Sequence, residues 1–419
     1  MGQKVHLDRL SMRHNPALQD GHQIDLIEGG QGYFEALAAA VEQAQSQVHM
    51  ETYIFDFHGA AAMVAEALER AAQRGLRVWV VVDGVGTPDL PAQWRERFAQ
   101  AGVDWRVYSP LGALGLLLPS RWRRLHRKLC VIDGHVAFCG GINILDDWYD
   151  PHHGTLAQPR LDFAVCARGA LVQQMQETMV QLWWRMEGVR RVRQQQFPQA
   201  FRSFRAAGLH APRMQHGDAP EGRLVAKAGL LLRDNVRHRA QIERAYLKAI
   251  GTARHEIVIA NAYFLPGRRL RKALIHAAQR GVRVRLLLQG RYEYFMQFHA
   301  VRPVYRVLLD AGIEIHEYTA SFLHAKVAVI DPDNDRPWAT VGSSNLDPLS
   351  LLLAREANVV VVDKAFAQQL HQRLQQAIDQ QSTAVVATHY TQRPWHQRLR
   401  DRMAFGLMRL ALLLTGNRY

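Results

Sequence analysis

Only three cysteines, Cys130, Cys139 and Cys166, occur in the 419 residues, too few and too unevenly spaced for a disulfide scaffold or a four-ligand zinc site. A reducing compartment is the expectation. No run reaches the roughly 18 consecutive apolar residues of a membrane-spanning helix. The nearest candidate, 403–414, is interrupted by Arg409. Residues 1–19 mix His, Asp and Arg with apolar residues and lack the unbroken apolar core of a secretion signal, so none is expected. The chain reads as soluble or attached to a membrane surface. Acidic residues are also in short supply, 38 Asp and Glu against 52 Lys and Arg, for a net charge of +14. That balance implies a polyanionic partner, nucleic acid or an acidic membrane surface, and does not choose between them.

What is present suits a large folded core: 48% of residues are hydrophobic and 21% charged, unlike a disordered tail. Length predicts two or three domains. Comparing the chain with itself shows two related halves. The first runs Val48-His-Met-Glu-Thr-Tyr-Ile-Phe, then Ala71-Ala-Gln-Arg-Gly-Leu-Arg-Val-Trp-Val; the second runs Ile257-Val-Ile-Ala-Asn-Ala-Tyr-Phe, then Ala277-Ala-Gln-Arg-Gly-Val-Arg-Val-Arg-Leu. Each half alternates amphipathic runs, one closed by Gly75 or Gly281, with apolar β-branched runs. The order helix, strand, helix, strand predicts an α/β fold with mainly parallel sheets covered by helices. A basic linker is expected at 189–222, where Arg, Gln, Pro and Gly accumulate. Its Arg190, Arg191, Arg193, Arg202 and Arg205 fit either phosphate binding or a solvated face.

At matching places stand Leu125-His-Arg-Lys-Leu-Cys-Val-Ile-Asp133 and Leu323-His-Ala-Lys-Val-Ala-Val-Ile-Asp331. On a strand His126 and Lys128 share a face, as do His324 and Lys326. Each motif leads to a small-residue turn ending in Asn, Gly140-Gly-Ile-Asn143 and Gly342-Ser-Ser-Asn345. One His-x-Lys pair is a weak signal; two in register with a repeat are a strong one. The alternative is a pair of hydrogen-bonded core histidines with surface lysines.

The residue types suit a phosphodiester. A neutral imidazole can attack phosphorus, and a second can protonate the leaving oxygen before reversing role for the next step. Lys128 and Lys326, with Asn143 and Asn345, can stabilise the non-bridging oxygens. The aspartates are expected to orient or charge-balance the site, an Asp fixing the tautomer of a histidine of the opposite half. The lysines supply the positive charge, so neither metal nor cofactor is expected.

These motifs resemble the His-Lys-Asp signature of the phospholipase D superfamily, across roughly residues 28–375. The resemblance implies two pseudo-symmetric α/β domains of phospholipase D-like fold, with mainly parallel mixed sheets flanked by helices. It divides the chain into 1–188, the linker 189–222, a second half at 223–390 and a tail at 391–419. It implies one active site between the halves, with one of His126 and His324 as nucleophile and the other as general acid; the resemblance favours His126 as nucleophile, and spacing does not decide which is which. Lys128, Lys326, Asn143, Asn345 and Ser343 carry over as phosphate ligands, and Asp133 and Asp331 as motif aspartates. Two departures stand out. Gly141 occupies the place of Ser343, and six residues (134–139) separate Asp from the turn in the first half against ten (332–341) in the second.

Within the superfamily the pattern most resembles bacterial cardiolipin synthases that lack N-terminal transmembrane helices, above all at Glu51-Thr-Tyr-Ile-Phe, at Thr340-Val-Gly-Ser-Ser-Asn-Leu-Asp-Pro-Leu-Ser350 and at Glu356-Ala-Asn-Val. That resemblance implies transfer of a phosphatidyl group to phosphatidylglycerol through a covalent phosphohistidine, releasing glycerol. It implies an anionic phospholipid membrane as partner, no nucleic acid, and a peripheral place on the cytoplasmic face of a bacterial inner membrane. The donor headgroup and oligomeric state stay open. The alternative is a nuclease or other phosphodiesterase of the same superfamily.

Other features separate lipid from DNA. From Gly102 to His126 is 24 positions, from Gly312 to His324 only 12. The extra chain holds Leu111-Gly-Ala-Leu-Gly-Leu-Leu-Leu-Pro119 and then Arg121, Arg123 and Arg124. It reads either as a loop that admits acyl chains or as a segment folded on its own domain. The tail, with Arg398, Arg400 and Arg402 before 403–414, reads as an interfacial or a core-docked helix. Glu51 and Tyr53, at a strand end, suit acceptor contact or burial. Glu356 suits bracing of a catalytic His or a structural salt bridge. Trp183 and Trp184 read as core, and isolated histidines such as His152 and His153 are uninformative.

Overall fold

A computed structural model describes residues 18–112, 115, 122–150, 153–208, 226–234, 238–291, 295–347, 354–386, 403 and 406. Most of the apolar stretch 111–119, Arg121, His152, 209–222 and nearly all of the basic tail lie outside these residues.

The chain forms two compact units. One holds Leu18–Asp146 and Ala164–Leu230; the other takes in Asp147–Phe163 and the described residues from Leu231 onward. The segment Asp147–Phe163, first-half by sequence, therefore belongs to the unit of the second motif.

In the first unit, Gln47–Thr52, Arg77–Asp83 and Asp104–Tyr108 pair in parallel. The motif strand Lys128–Ile132 adds antiparallel to Gln47–Thr52, followed by Val136–Gly140 and the strand Phe163–Arg168. The second unit repeats this order. Glu256–Asn261, Arg283–Gln289 and Glu314–Tyr318 are parallel, and Lys326–Ile330, Trp338–Gly342 and Ala354–Val362 follow antiparallel. The sheets are mixed: the three alternating βα strands of each repeat pair in parallel, and the motif strand and the two strands after it pair antiparallel. The tight connection between motif strand and returning strand admits only antiparallel pairing.

Helices cover the sheets because their apolar residues recur every three to four positions. In Gly30–Glu42, Tyr33, Phe34, Leu37, Ala38 and Val41 are buried, and they meet Val78, Val80 and Val82 in one core cluster. On the opposite face, Val81 meets Leu182 and Trp183 of the 24-residue helix Ala170–Arg193, in line with strand alternation. Helices Ala62–Gln73 and Arg268–Gln279 end at Gly75 and Gly281, with φ of +89° and +87°, the left-handed conformation that glycine adopts without steric cost. The expected linker begins as helix: Ala170–Arg193 runs past 188, and Phe197–Gly208 is a further helix.

Candidate active site

The motif strands are buried along their whole length, and His126 and His324 stand half-exposed just before them. Strand alternation sends each lysine to the same side as its histidine. Lys128 Nζ donates to the His126 carbonyl at 2.7 Å, and Lys326 Nζ donates to the His324 carbonyl. Both lysines are almost wholly buried, which is costly for a cation unless anionic or dipolar partners surround it.

Tyr53 packs the edge of its ring on His126, centroids 5.0 Å apart, with Lys128 Nζ 5.5 Å from the Tyr53 centroid. Arg127 turns to the other face and forms a bidentate pair with Glu51, Nη2 to Oε1 at 2.9 Å. Glu51 is thus a buried counter-ion, not a group exposed to an acceptor. Asn143 accepts from Ile54 N through Oδ1 at 3.3 Å, tying its turn to the end of the neighbouring strand.

In the second unit His324 Nδ1 lies 2.6 Å from Asp162 Oδ2. A carboxylate only accepts, so Nδ1 carries the proton, which puts the lone pair of the neutral ring on Nε2. Asp162 is held by the backbone of the segment Asp147–Phe163. Leu161 N donates to Phe322 O at 3.0 Å, and His324 N donates to Leu161 O at 2.9 Å. Nearby, His153 bonds Asp150 at 2.9 Å and packs its ring on Phe322, centroids 5.0 Å apart. Asn345 is buried, and among the described residues its Oδ1 has no hydrogen-bond partner.

Sequence reasoning missed Asp162. Sheet register carries the signal: Ala164 faces Gly140 and Asn358 faces Gly342, so Asp162 holds in the first repeat the place of Glu356 in the second. Glu356 is fully buried and accepts from Ser343 Oγ at 2.5 Å. Burial pushes the Arg233 guanidinium down to about 10, Glu356 being the largest opposing influence.

Two expectations are corrected. Among the described residues neither motif aspartate pairs with a histidine side chain. Asp133 accepts from the backbone N–H of Gln45, Ser46 and Gln47 at 2.7, 2.8 and 2.9 Å and from Ser46 Oγ at 2.7 Å. Asp331 does the same for Arg254, His255 and Glu256 at 2.9, 2.8 and 2.9 Å. Seven residues of extended chain place each Asp about 20 Å from its histidine. There it anchors the start of the adjacent strand, at a left-handed φ of +52° or +50°. Burial alone would raise the Asp133 carboxyl, but these hydrogen bonds hold it below the usual range. Ser343 is likewise committed: its hydroxyl donates to Glu356 and accepts from Ala357 N at 3.1 Å, which turns it away from ligand duty.

Among the described residues no helix is long and apolar enough to cross a membrane. The family model described as "Cardiolipin synthase, PLD-like domain" matches residues 37–183 and 246–378. Cardiolipin synthase B of Escherichia coli K12 is 35% identical over 411 residues, covering 95% of this chain and 90% of the relative. Cardiolipin synthase 2 of Bacillus cereus is 28% identical over 89% of this chain and 68% of its own. Among solved structures, phosphatidylserine synthase of Haemophilus influenzae superposes with a TM-score of 0.67 at 13% identity, over 96% of this chain and 98% of that one. That likeness bears on the fold alone. With both halves matched by one model and a relative aligned along nearly the whole length, the chain belongs to the cardiolipin synthase family of phospholipase D-like phosphatidyltransferases.

Proposed function

We propose that this protein makes cardiolipin by transferring a phosphatidyl group to the hydroxyl of phosphatidylglycerol, with phosphatidylglycerol also as donor. His126 attacks the donor phosphorus; the bond to the glycerol headgroup breaks, and His324 gives the leaving oxygen its proton. The hydroxyl of a second phosphatidylglycerol then loses its proton to His324 and attacks the phosphohistidine, breaking the P–N bond. Lys128, Lys326, Asn143 and Asn345 stabilise the phosphate oxygens. The observation that carries this reading is the Asp162–His324 hydrogen bond of 2.6 Å. It fixes the tautomer, holds the ring and stabilises the imidazolium, as a histidine that alternates between acid and base requires. The names of the curated relatives support the substrate. The charge of +14 suits a peripheral place on an anionic membrane, at the cytoplasmic face of a bacterial inner membrane.

The test is to incubate purified protein with phosphatidylglycerol liposomes, and separately with single-stranded DNA, in the presence of EDTA, and to resolve the products by mass spectrometry. Cardiolipin and free glycerol are expected, both absent for His126→Ala. Cut DNA with untouched lipid would overturn the proposal in favour of a nuclease.

A further inference from the structure

The helix Ala170–Arg193 buries Leu171, Val172, Met175, Met179, Leu182 and Trp183, but its far end leaves Val189 and Val192 exposed. The chain turns at Gln195, with φ of +59°, into the helix Phe197–Gly208. Among its described side chains, this helix buries Ala200 and Ser203. Phe197 and Phe201, one helical turn apart, are left 63% and 70% exposed, the most exposed large apolar side chains among the described residues. Scattered exposed apolar residues are ordinary; four within thirteen positions of one helical hairpin are a patch.

The charge around the patch has one sign. Arg193, Arg202 and Arg205 are exposed, and among the described residues none has an acidic partner. Arg190 and Arg191 share one carboxylate, Glu187, at 2.8 and 2.6 Å, with Arg106 on the same group at 3.0 Å. Aromatic side chains flanked by arginines on a helix of low overall hydrophobicity suit the headgroup boundary of an anionic bilayer, where rings enter the acyl region and guanidinium groups meet phosphates. A second copy of this chain fits less well, because its own patch would bring the same positive charge.

We propose that the helical hairpin 189–205 is a docking surface for an anionic phospholipid bilayer, with Phe197 and Phe201 as the inserted anchors and Arg193, Arg202 and Arg205 as the phosphate-facing rim. The proposal rests on the reading that the substrate is a membrane lipid, and it assigns the surface by which the enzyme reaches that lipid.

The test uses the full-length chain and phosphatidylcholine vesicles with and without phosphatidylglycerol. The double variant Phe197→Ser, Phe201→Ser should partition about tenfold less onto the anionic vesicles, with turnover of phosphatidylglycerol in detergent micelles unchanged. Arg202→Glu with Arg205→Glu should lose binding to the anionic vesicles alone. In Phe201→Trp, added anionic vesicles should shift the emission to the blue relative to the unsubstituted protein. Unchanged partition of the phenylalanine double variant, or no blue shift in the emission of Phe201→Trp, would overturn the proposal. So would a change of oligomeric state with vesicle binding intact, which would make the patch an interface between copies. Absence of transfer by the unaltered enzyme in micelles would count against the substrate reading and leave the vesicle result to decide the surface separately.

Discussion

Beneath the first motif strand lies a buried ion pair, Arg127 with Glu51; sheet register puts Ala325 and Ala260 at the matching positions of the second. The first turn has Gly141, the second Ser343 bonded to Glu356. Yet both units keep the same strand order and the same aspartate at a left-handed φ, accepting three consecutive backbone N–H groups. What the repeat preserves is the anchoring of the motif strand to its neighbour. What fills the space beside the strand has diverged, because buried charge and small apolar residues can each complete a packed interior if their polar atoms are paired.

The largest break of this comparison is Glu51→Gln. It leaves the buried Arg127 without its counter-charge and should cost about 3–5 kcal/mol, read as a lower denaturant midpoint. Glu51→Leu with Arg127→Met, which imitates the apolar solution of the second unit, should cost far less. A double variant as unstable as the single one would mean that the pair is needed for more than packing. Next comes Asp162→Asn, which favours the wrong tautomer of His324. Transfer should fall about a hundredfold or more with the thermal midpoint little changed, and its pH profile should change shape. A proportional fall in folded protein would reduce Asp162 to a structural role.

Ser343→Gly makes the second turn like the first and removes the hydroxyl donor of Glu356, at a cost of about 1–3 kcal/mol. Unfolding by denaturant checks it; a neutral result would show Glu356 satisfied without Ser343. The smallest effect is acid dependence at Asp133. A carboxyl depressed in the folded state contributes stability above its unfolded value, about 3.9, and that stability is lost as pH falls through the folded value. Asp133→Asn should therefore lower the thermal midpoint at neutral pH by about 2–4 °C, with the difference closing in acid. An equal difference at all pH values would remove the charge from the explanation.

The repeat, its strands and the motif lysines were legible because period-two and period-3.6 patterns are local, and the two halves repeat them in step. The pairing of Asp162 with His324 was not, since the residues are 162 positions apart and Asp162 belongs by sequence to the other half. The anchoring by Asp133 and Asp331 was hidden by proximity in sequence: near a catalytic motif an acid reads as chemistry, whereas extended backbone carries it to the far end of the strand. The hairpin around 189–205 read as linker because its arginines and glutamines obscure the helical period.

The central claim, that matched scaffolds present histidines of unequal role, is tested most directly by trapping the covalent intermediate. A phosphatidyl ester of p-nitrophenol has a leaving group that departs without a proton, so it needs the nucleophile but not the acid. Intact mass and peptide mapping of His324→Ala treated with this ester should find one phosphatidyl group, on His126, and His126→Ala should carry none. An adduct on His324 in the His126→Ala protein, or no adduct in either, would contradict the account.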